Sequence, residues 1–258
     1  MGRLFKIEMK KLRKSTAMKV MLIVALVRSL FNVGIYALLN VFTENIGELL
    51  GTISGYSMAL MLSKDASDIT LMVVILMAVL VGGDFSARTL QTQVAAGYSR
   101  LSIIASRYIS IVIAYIVLYV LYVGVTVAGV TAVFGFGEGI TSLMVKELLY
   151  NFLYSFIMAL TMLSLYMLFA FMVKSTGATI GICVPFLLFG VEIIQLLTLI
   201  HETVEKVLSF TPFGQMALLG GMYLTDKVDC TKFIGVCAVW FLVFTSLSYL
   251  SFRKAELK

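Results

Sequence analysis

The chain has 258 residues, of which 60% are hydrophobic and only 13% are charged, and its mean hydropathy is +1.02. A soluble globular domain carries about 25% charged residues, so the composition excludes a soluble enzyme and indicates an all-α integral membrane protein. The net charge of +6 is expected to orient the chain and to contact anionic lipids rather than nucleic acid.

The first segment, about residues 1–17, predicts an amphipathic helix on the cytoplasmic surface. Phe5, Met9 and Leu12 share one face at helical spacing, while the Lys and Arg side chains lie mostly elsewhere. The segment lacks the apolar region and the small-residue cleavage site of a signal peptide. The hydrophobic stretch that follows is therefore predicted to be retained as a transmembrane helix.

Six stretches have about the 20 apolar residues that cross about 30 Å of hydrocarbon. They cover about residues 18–40, 66–83, 106–134, 148–173, 177–200 and 233–252. With both chain ends placed in the cytoplasm, fourteen Lys and Arg residues fall inside and five fall outside, namely Lys64, Lys146, Lys206, Lys227 and Lys232. Cytoplasmic enrichment in Lys and Arg sets the orientation of membrane proteins. The bias therefore predicts six transmembrane helices with an N-in, C-in topology.

Two other apolar stretches are predicted to stay on the outer side. Residues 52–62 are too short to span and precede charged residues, which favours an interfacial or re-entrant helix. Residues 201–232 contain a longer apolar stretch, but Pro212 and the pair Gly220 and Gly221 would break a helix there. A seventh span would also place the basic C-terminus outside. We therefore expect an outer re-entrant hairpin before the last helix.

Residues 84–100 form a polar interruption between the second and third spans, on the cytoplasmic side of the predicted topology. Asp84 or Ser86 can cap a short helix, and Gly97 can end it. The next apolar register, from about 101 to 134, would be about 51 Å long, which exceeds the bilayer core. The third helix is therefore expected to project into the cytoplasm. An ordinary solvated loop is the alternative interpretation of the interruption.

Taken together, these features resemble the permease subunits of type 2 ABC exporters. They are the basic amphipathic N-terminal helix, six spans with both ends inside, a short helix ending in a Gly-x-Ser-Arg turn at 97–100, and a broken outer hairpin. The small bacterial members tied to peptide or bacteriocin export and self-immunity are the most similar in size. Many relatives have Gly before the Thr of this loop, where this chain has Arg88 before Thr89.

The resemblance implies a mechanism and a set of partners. In that family the loop helix is a coupling helix that docks on a separate ABC ATP-binding subunit, and two permeases with two ATPases form the working unit. The second permease would be a copy of this chain or a sibling, and both would lie in the bacterial plasma membrane.

Carried over to this chain, the resemblance gives Arg88, Leu90, Val94 and Arg100 as the ATPase-coupling residues. The cargo would be an amphipathic or hydrophobic peptide, antibiotic or lipid. The chain has no G-x-x-x-x-G-K-[ST] phosphate loop, so ATP and Mg²⁺ would be bound by the partner subunit. The chain itself is not expected to be an enzyme, to bind a metal or to carry a cofactor.

Four polar residues within the predicted spans require a partner or water, because a charge in hydrocarbon costs several kcal/mol. Arg28 lies about 15 Å into the first span, with Asn32 on the same side. Glu192 lies about 22 Å into the fifth span, with Gln195 on nearly the same face. They are interpreted either as a buried pair that joins the two spans or as the lining of a hydrated substrate path. An ion-gradient-driven secondary transporter that uses Arg28 and Glu192 is the alternative function.

Overall fold

The computed structural model describes residues 2–42, 53–64, 67–137, 141–198, 202–221 and 229–254. It is 91% helical, with no strand in these ranges, which confirms an all-α membrane protein. In chain order the helices are α1 (Gly2–Lys14), α2 (Thr16–Phe42), α3 (Gly55–Lys64), α4 (Ser67–Ser86), α5 (Thr89–Ala95), α6 (Arg100–Phe134), α7 (Ser142–Val173), α8 (Thr176–Thr198), α9 (Glu202–Leu208), α10 (Pro212–Gly221) and α11 (Cys230–Lys254).

Within the described ranges, five helices are long and apolar enough to cross a membrane: α2, α4, α6, α7 and α11. Each of them overlaps one of the predicted spans. α8 corresponds to the predicted fifth span and contributes a shorter apolar stretch, Thr176–Gly190, so the sixth crossing stays a prediction. α6 runs unbroken through 35 residues, about 52 Å, which confirms the overlong third helix.

The centre of the bundle is formed by α4 and α7. α4 is apolar on every side, the pattern of a helix surrounded by protein, and most of its side chains from Ile69 to Val81 are buried. It packs on α8 at Gly82, where a Cβ atom would lie 2.6 Å from the backbone nitrogen of Thr176. α2 and α11 lie at the periphery, α2 mainly against α6 and α11 mainly against α7.

Short helices lie between the long ones, in the stretches that the sequence predicts not to span. α3 is a separate ten-residue helix that packs on α6 and α7, and Tyr56 donates a hydrogen bond to Glu147 Oε2 at 2.7 Å. Burial and this hydrogen bond raise the pKa of Tyr56 to about 12. The predicted hairpin breaks where Pro212 opens α10, since proline is tolerated in the first turn of a helix. Residues 222–228 of that hairpin lie outside the described part of the chain.

The N-terminal helix forms as predicted, but its inward face differs from the predicted one. α1 buries Leu4, Glu8 and Leu12, whereas the apolar pattern placed Phe5 on that face. Phe5 is half-buried. The pattern misses Glu8 because a search for apolar residues at helical spacing passes over a carboxylate, even one that is buried beside a cation.

Candidate functional site: charged clusters at the loop helix and within the spans

Four charged side chains meet where α1, α4 and α6 come together; we call Glu8, Lys11, Asp84 and Arg107 the inner cluster. Arg107 Nη1 lies 2.8 Å from Glu8 Oε2, and Arg107 Nη2 is paired with Asp84 Oδ2. Lys11 Nζ is paired with the other carboxylate oxygen of Asp84. Glu8, Asp84 and Arg107 are each no more than 3% exposed. Two cations therefore balance two carboxylates in a site from which water is largely excluded.

The loop helix α5 is attached to the inner cluster by two polar side chains. Thr89 Oγ1 donates to Asp84 Oδ1 at 2.8 Å, and Gln93 Nε2 donates to Glu8 Oε1 at 3.3 Å. Leu90 lies between these two positions on α5 and is 1% exposed. Because buried carboxylates need hydrogen-bond donors, this arrangement fixes α5 to α1, α4 and α6 at once.

α5 is shorter than the predicted 84–100 helix because the helix before it is longer. α4 continues to Ser86, so neither Asp84 nor Ser86 caps α5, and the cap position is Arg88 in a left-handed conformation with φ 55°. The predicted end at Gly97 is confirmed, with φ 86°. The N–H groups of this turn return to carbonyl oxygens of α5 in the pattern of a Schellman motif.

The predicted coupling residues do not form one surface. Leu90 is buried and Val94 is half-buried against the core, so their apolar face packs on this chain. Arg88 is exposed, and no ion pair of Arg88 is found within the described residues. Of Arg88, Leu90 and Val94, it is therefore Arg88 that is accessible to a partner.

Arg100 connects the loop to the last helix instead of facing outward. Its Nη1 donates to the carbonyl oxygens of Phe252 and Arg253 at 2.5 and 2.7 Å, which satisfies the end of α11 as basic side chains often do. The guanidinium lies 5.5 Å from the ring centre of Phe252. Phe85 of α4 and Phe171 of α7 pack on that ring, with centroids 6.5 and 5.3 Å away. The same ends of α4, α7 and α11 therefore meet beside the loop.

The accessible side of the loop carries small and polar side chains around one cation. Ser86, Ala87, Arg88, Thr92 and Ala95 are exposed, and we call them the loop surface. A left-handed backbone costs a residue other than glycine about 1–2 kcal/mol. The chain bears this cost at Arg88.

A second polar group lies within the spans, where Arg28 pairs with Asp68 and not with Glu192. Arg28 Nη2 donates to both carboxylate oxygens of Asp68, at 2.7 and 2.8 Å. Tyr122 Oη donates to Asp68 Oδ2 at 3.0 Å, and Asn32 Nδ2 donates to Tyr122 Oη at 2.8 Å. We call Arg28, Asn32, Asp68 and Tyr122 the membrane cluster; it joins α2, α4 and α6.

The interpretation in which Arg28 and Glu192 join the first and fifth spans is therefore corrected. α2 packs mainly on α6 and α4, whereas α8 packs mainly on α4 and α10. Glu192 is exposed on α8, and the side chain of Gln195 lies outside the described residues. Sequence reasoning missed Asp68 because it lies in the first turn of α4, next to residues that the pattern assigns to the outer surface.

Comparison with known proteins gives one family. The model of DUF2705, a protein of unknown function, matches residues 20–257. The chain belongs to the DUF2705 family. No curated protein matches it. The family match contains the whole membrane cluster together with Asp84 and Arg107, whereas Glu8 and Lys11 precede it.

Proposed function

We propose that this chain is the membrane-spanning subunit of an ATP-driven ABC exporter. It would move an amphipathic or hydrophobic substrate across or out of the membrane and take its energy from a separate ATP-binding subunit docked on residues 84–100. The observation that supports this proposal best is the attachment of α5. This short helix faces the cytoplasm in the topology that the charge bias predicts, and buried charges tie it to the spans.

The attachment provides a route from the loop to four spans. A movement of α5 would pass through Thr89 and Gln93 to the inner cluster, and so to α1, α4 and α6. The contacts of Arg100 and of the Phe252 ring would transmit the same movement to α7 and α11. Separating a buried ion pair costs about 3–5 kcal/mol, so these elements resist moving apart. Coupling by a docked ATPase requires such a rigid connection.

The surface that the ATPase would contact is the loop surface rather than the pair Leu90 and Val94. Its small side chains let another backbone approach closely, and Arg88 supplies a positive charge without an ion pair in the described residues. Complementary charge favours correct docking and disfavours wrong partners. We therefore expect a carboxylate opposite Arg88 in the groove of the ATPase.

The test is to purify the protein from native membranes in mild detergent and to identify what accompanies it by mass spectrometry. Arg88→Glu is the informative variant, and Lys174→Glu is its control, since Lys174 is also exposed and left-handed, with φ 58°. Arg88→Glu should reduce recovery of a soluble ATP-binding subunit by about tenfold, which corresponds to about 1.4 kcal/mol. Lys174→Glu should leave recovery unchanged. Equal recovery in both variants would refute docking at the loop surface.

An ion-gradient-driven secondary transporter is the second candidate, and the membrane cluster favours it. Charged residues inside spans commonly mark ion or proton pathways. The coupling groups would then be Arg28 and Asp68, because Glu192 is not part of the cluster. This function predicts substrate movement in proteoliposomes under an imposed proton or sodium gradient without ATP. If no ATPase accompanies the unmodified protein, this candidate replaces the exporter.

A further inference from the structure

We propose that a groove between α6 and α11 binds one anionic phospholipid of the cytoplasmic leaflet, with an acyl chain in the groove and the phosphate at its end. The groove lies between residues 101–109 of α6 and residues 241–245 of α11, with α7 behind them. A defined site of this kind goes beyond the general attraction of a basic chain to anionic lipids. It does not depend on the proposed function, because a lipid can bind there whether or not an ATPase docks on the loop.

The groove has a buried floor and an exposed rim. Its volume is about 150 Å³. Ile104 and Met167 on the floor are buried, whereas Leu101 and Ile109 on the rim are exposed. The gap exists because α11 packs mainly on α7 and much less on α6. The groove therefore opens on the outer surface of the bundle, where lipid surrounds a membrane-spanning chain.

The lining of the groove is apolar in its chemistry. Three hydroxyl groups belong to it, and each donates its hydrogen to a backbone carbonyl oxygen. Tyr108 Oη donates to Leu160 at 2.6 Å, and Ser164 and Thr245 donate within their own helices at 2.6 and 2.7 Å. The other lining side chains are aliphatic, aromatic or thioether groups. Since an apolar cavity of about 150 Å³ is large enough for benzene, the groove suits a segment of hydrocarbon chain.

The groove lies at the depth of an acyl chain. The last apolar stretch ends near Phe252, at the end of the bundle that the charge bias places in the cytoplasm. Thr245 and Phe241 lie about 10 and 16 Å from Phe252 along α11. Half of a hydrocarbon core about 30 Å thick is about 15 Å. A lipid chain of the cytoplasmic leaflet therefore reaches these residues while its headgroup stays at the surface.

Two arginines lie at the cytoplasmic end of the groove. Arg100 directly precedes the rim residue Leu101, and it reaches across to α11 through the carbonyl oxygens of Phe252 and Arg253. Arg253 itself is exposed. Neither arginine forms a salt bridge among the described residues. Guanidinium groups bind phosphate oxygens with strong, charge-assisted hydrogen bonds, so this end of the groove complements an anionic headgroup.

The headgroup is tested by native mass spectrometry of the purified protein in mild detergent. The protein is incubated with phosphatidylglycerol or with phosphatidylcholine of the same acyl chains. The unmodified protein should retain about fivefold more phosphatidylglycerol, which corresponds to about 1 kcal/mol, the contribution of one basic residue near an anionic surface. Arg253→Gln should remove most of this preference. Lys174→Gln is the control, since Lys174 is also exposed but does not line the groove, and it should keep the preference.

The groove itself is tested by filling it. Ala105 belongs to the lining, and Ala105→Phe places a ring where the acyl chain would lie. Retention of phosphatidylglycerol should fall about tenfold, which corresponds to about 1.4 kcal/mol. Ala132→Phe is the matched control, because Ala132 is exposed near the other end of the same helix. Ala105→Leu fills less of the groove, should reduce retention severalfold, and replaces the phenylalanine variant if that variant does not fold.

Two results would overturn the proposal. Equal retention of phosphatidylglycerol by the Ala105 and Ala132 variants would show that lipid adheres to the protein surface in general and not in the groove. Equal retention of the two lipids by the unmodified protein, or the same preference in Arg253→Gln as in Lys174→Gln, would show that the phosphate does not bind at this end. Recovery of an ATPase affects neither result, so the lipid site and the proposed function stand or fall separately.

Discussion

Removing Arg107 is expected to detach the N-terminal helix and the loop helix from the bundle. Arg107→Ala leaves Glu8 without its ion pair and Asp84 with Lys11 alone. Breaking a buried ion pair by deleting one partner costs about 3–5 kcal/mol, whereas folded proteins are stable by about 5–15 kcal/mol. The variant should therefore lose a large fraction of its free energy of unfolding.

The chain supplies its own reporter for this experiment. Cys183 and Cys237 are buried free thiols, so a dye that fluoresces on reaction with thiols follows their exposure as the purified protein is heated. Cys230 is exposed and is first replaced by serine. At about 2–4 °C per kcal/mol for a chain of this size, a loss of about 3–5 kcal/mol lowers the unfolding midpoint by about 6–20 °C.

Arg13→Ala is the matched control, since Arg13 also belongs to the basic set of α1 but is exposed. Surface substitutions usually change stability by no more than about 0.5 kcal/mol. A double-mutant cycle with Glu8→Gln isolates the coupling between Glu8 and Arg107. If Arg107→Ala lowered the midpoint no further than Arg13→Ala, the inner cluster would not be what holds α1 and α5, and the proposed route from the loop to the spans would fail.

Three further predictions concern the same end of the bundle. Arg100→Ala should lower the free energy of unfolding by about 1.5–3 kcal/mol, the range for hydrogen bonds to a charged group. Amide hydrogen exchange in the last turn of α11 should become faster, because the carbonyl oxygens there lose their donor. Unchanged exchange would contradict the capping role of Arg100. Gly82→Ala should lower the free energy of unfolding by about 1–3 kcal/mol, because the added Cβ atom would lie 2.6 Å from the backbone nitrogen of Thr176. Gly83→Ala is the control, since a Cβ atom there would meet nothing within 4 Å. It should leave the unfolding midpoint of the same thermal assay unchanged. Arg88→Gly should not lower stability, because glycine adopts the left-handed conformation of this position without strain. The variant should nevertheless weaken recovery of the ATPase. Full recovery would show that the cation is not required for docking.

Much of the fold can be predicted from local sequence because it depends on local physics. A run of apolar residues of the right length forms a helix wherever water is scarce, since only a helix satisfies its own backbone groups there. The predicted spans therefore coincide with α2, α4, α6, α7 and α11, and the full length of α6 was expected. The end of α5 at Gly97 was predictable for the same reason, because glycine adopts the left-handed turn without strain.

The partners of the charged side chains could not be predicted in this way. A spacing argument shows which residues share a face of one helix, but it does not show which helix that face meets. The sequence analysis therefore named Glu192 as the partner of Arg28, whereas the packing of α2 against α4 and α6 brings Arg28 to Asp68. The sequence analysis predicted that Leu90 contacts an external partner, whereas in the structure Leu90 is buried in the core of this chain.

Composition and charge bias thus predict the all-α class, the helices and their orientation, because burial of apolar surface and the cost of bare backbone polar groups act on each segment separately. The two charged clusters depend on residues far apart in the chain, such as Glu8 with Arg107 and Arg28 with Asp68. Only the packing of whole helices brings such residues within hydrogen-bond distance, and so only the tertiary structure decides which charges are neutralised and which stay available to a partner.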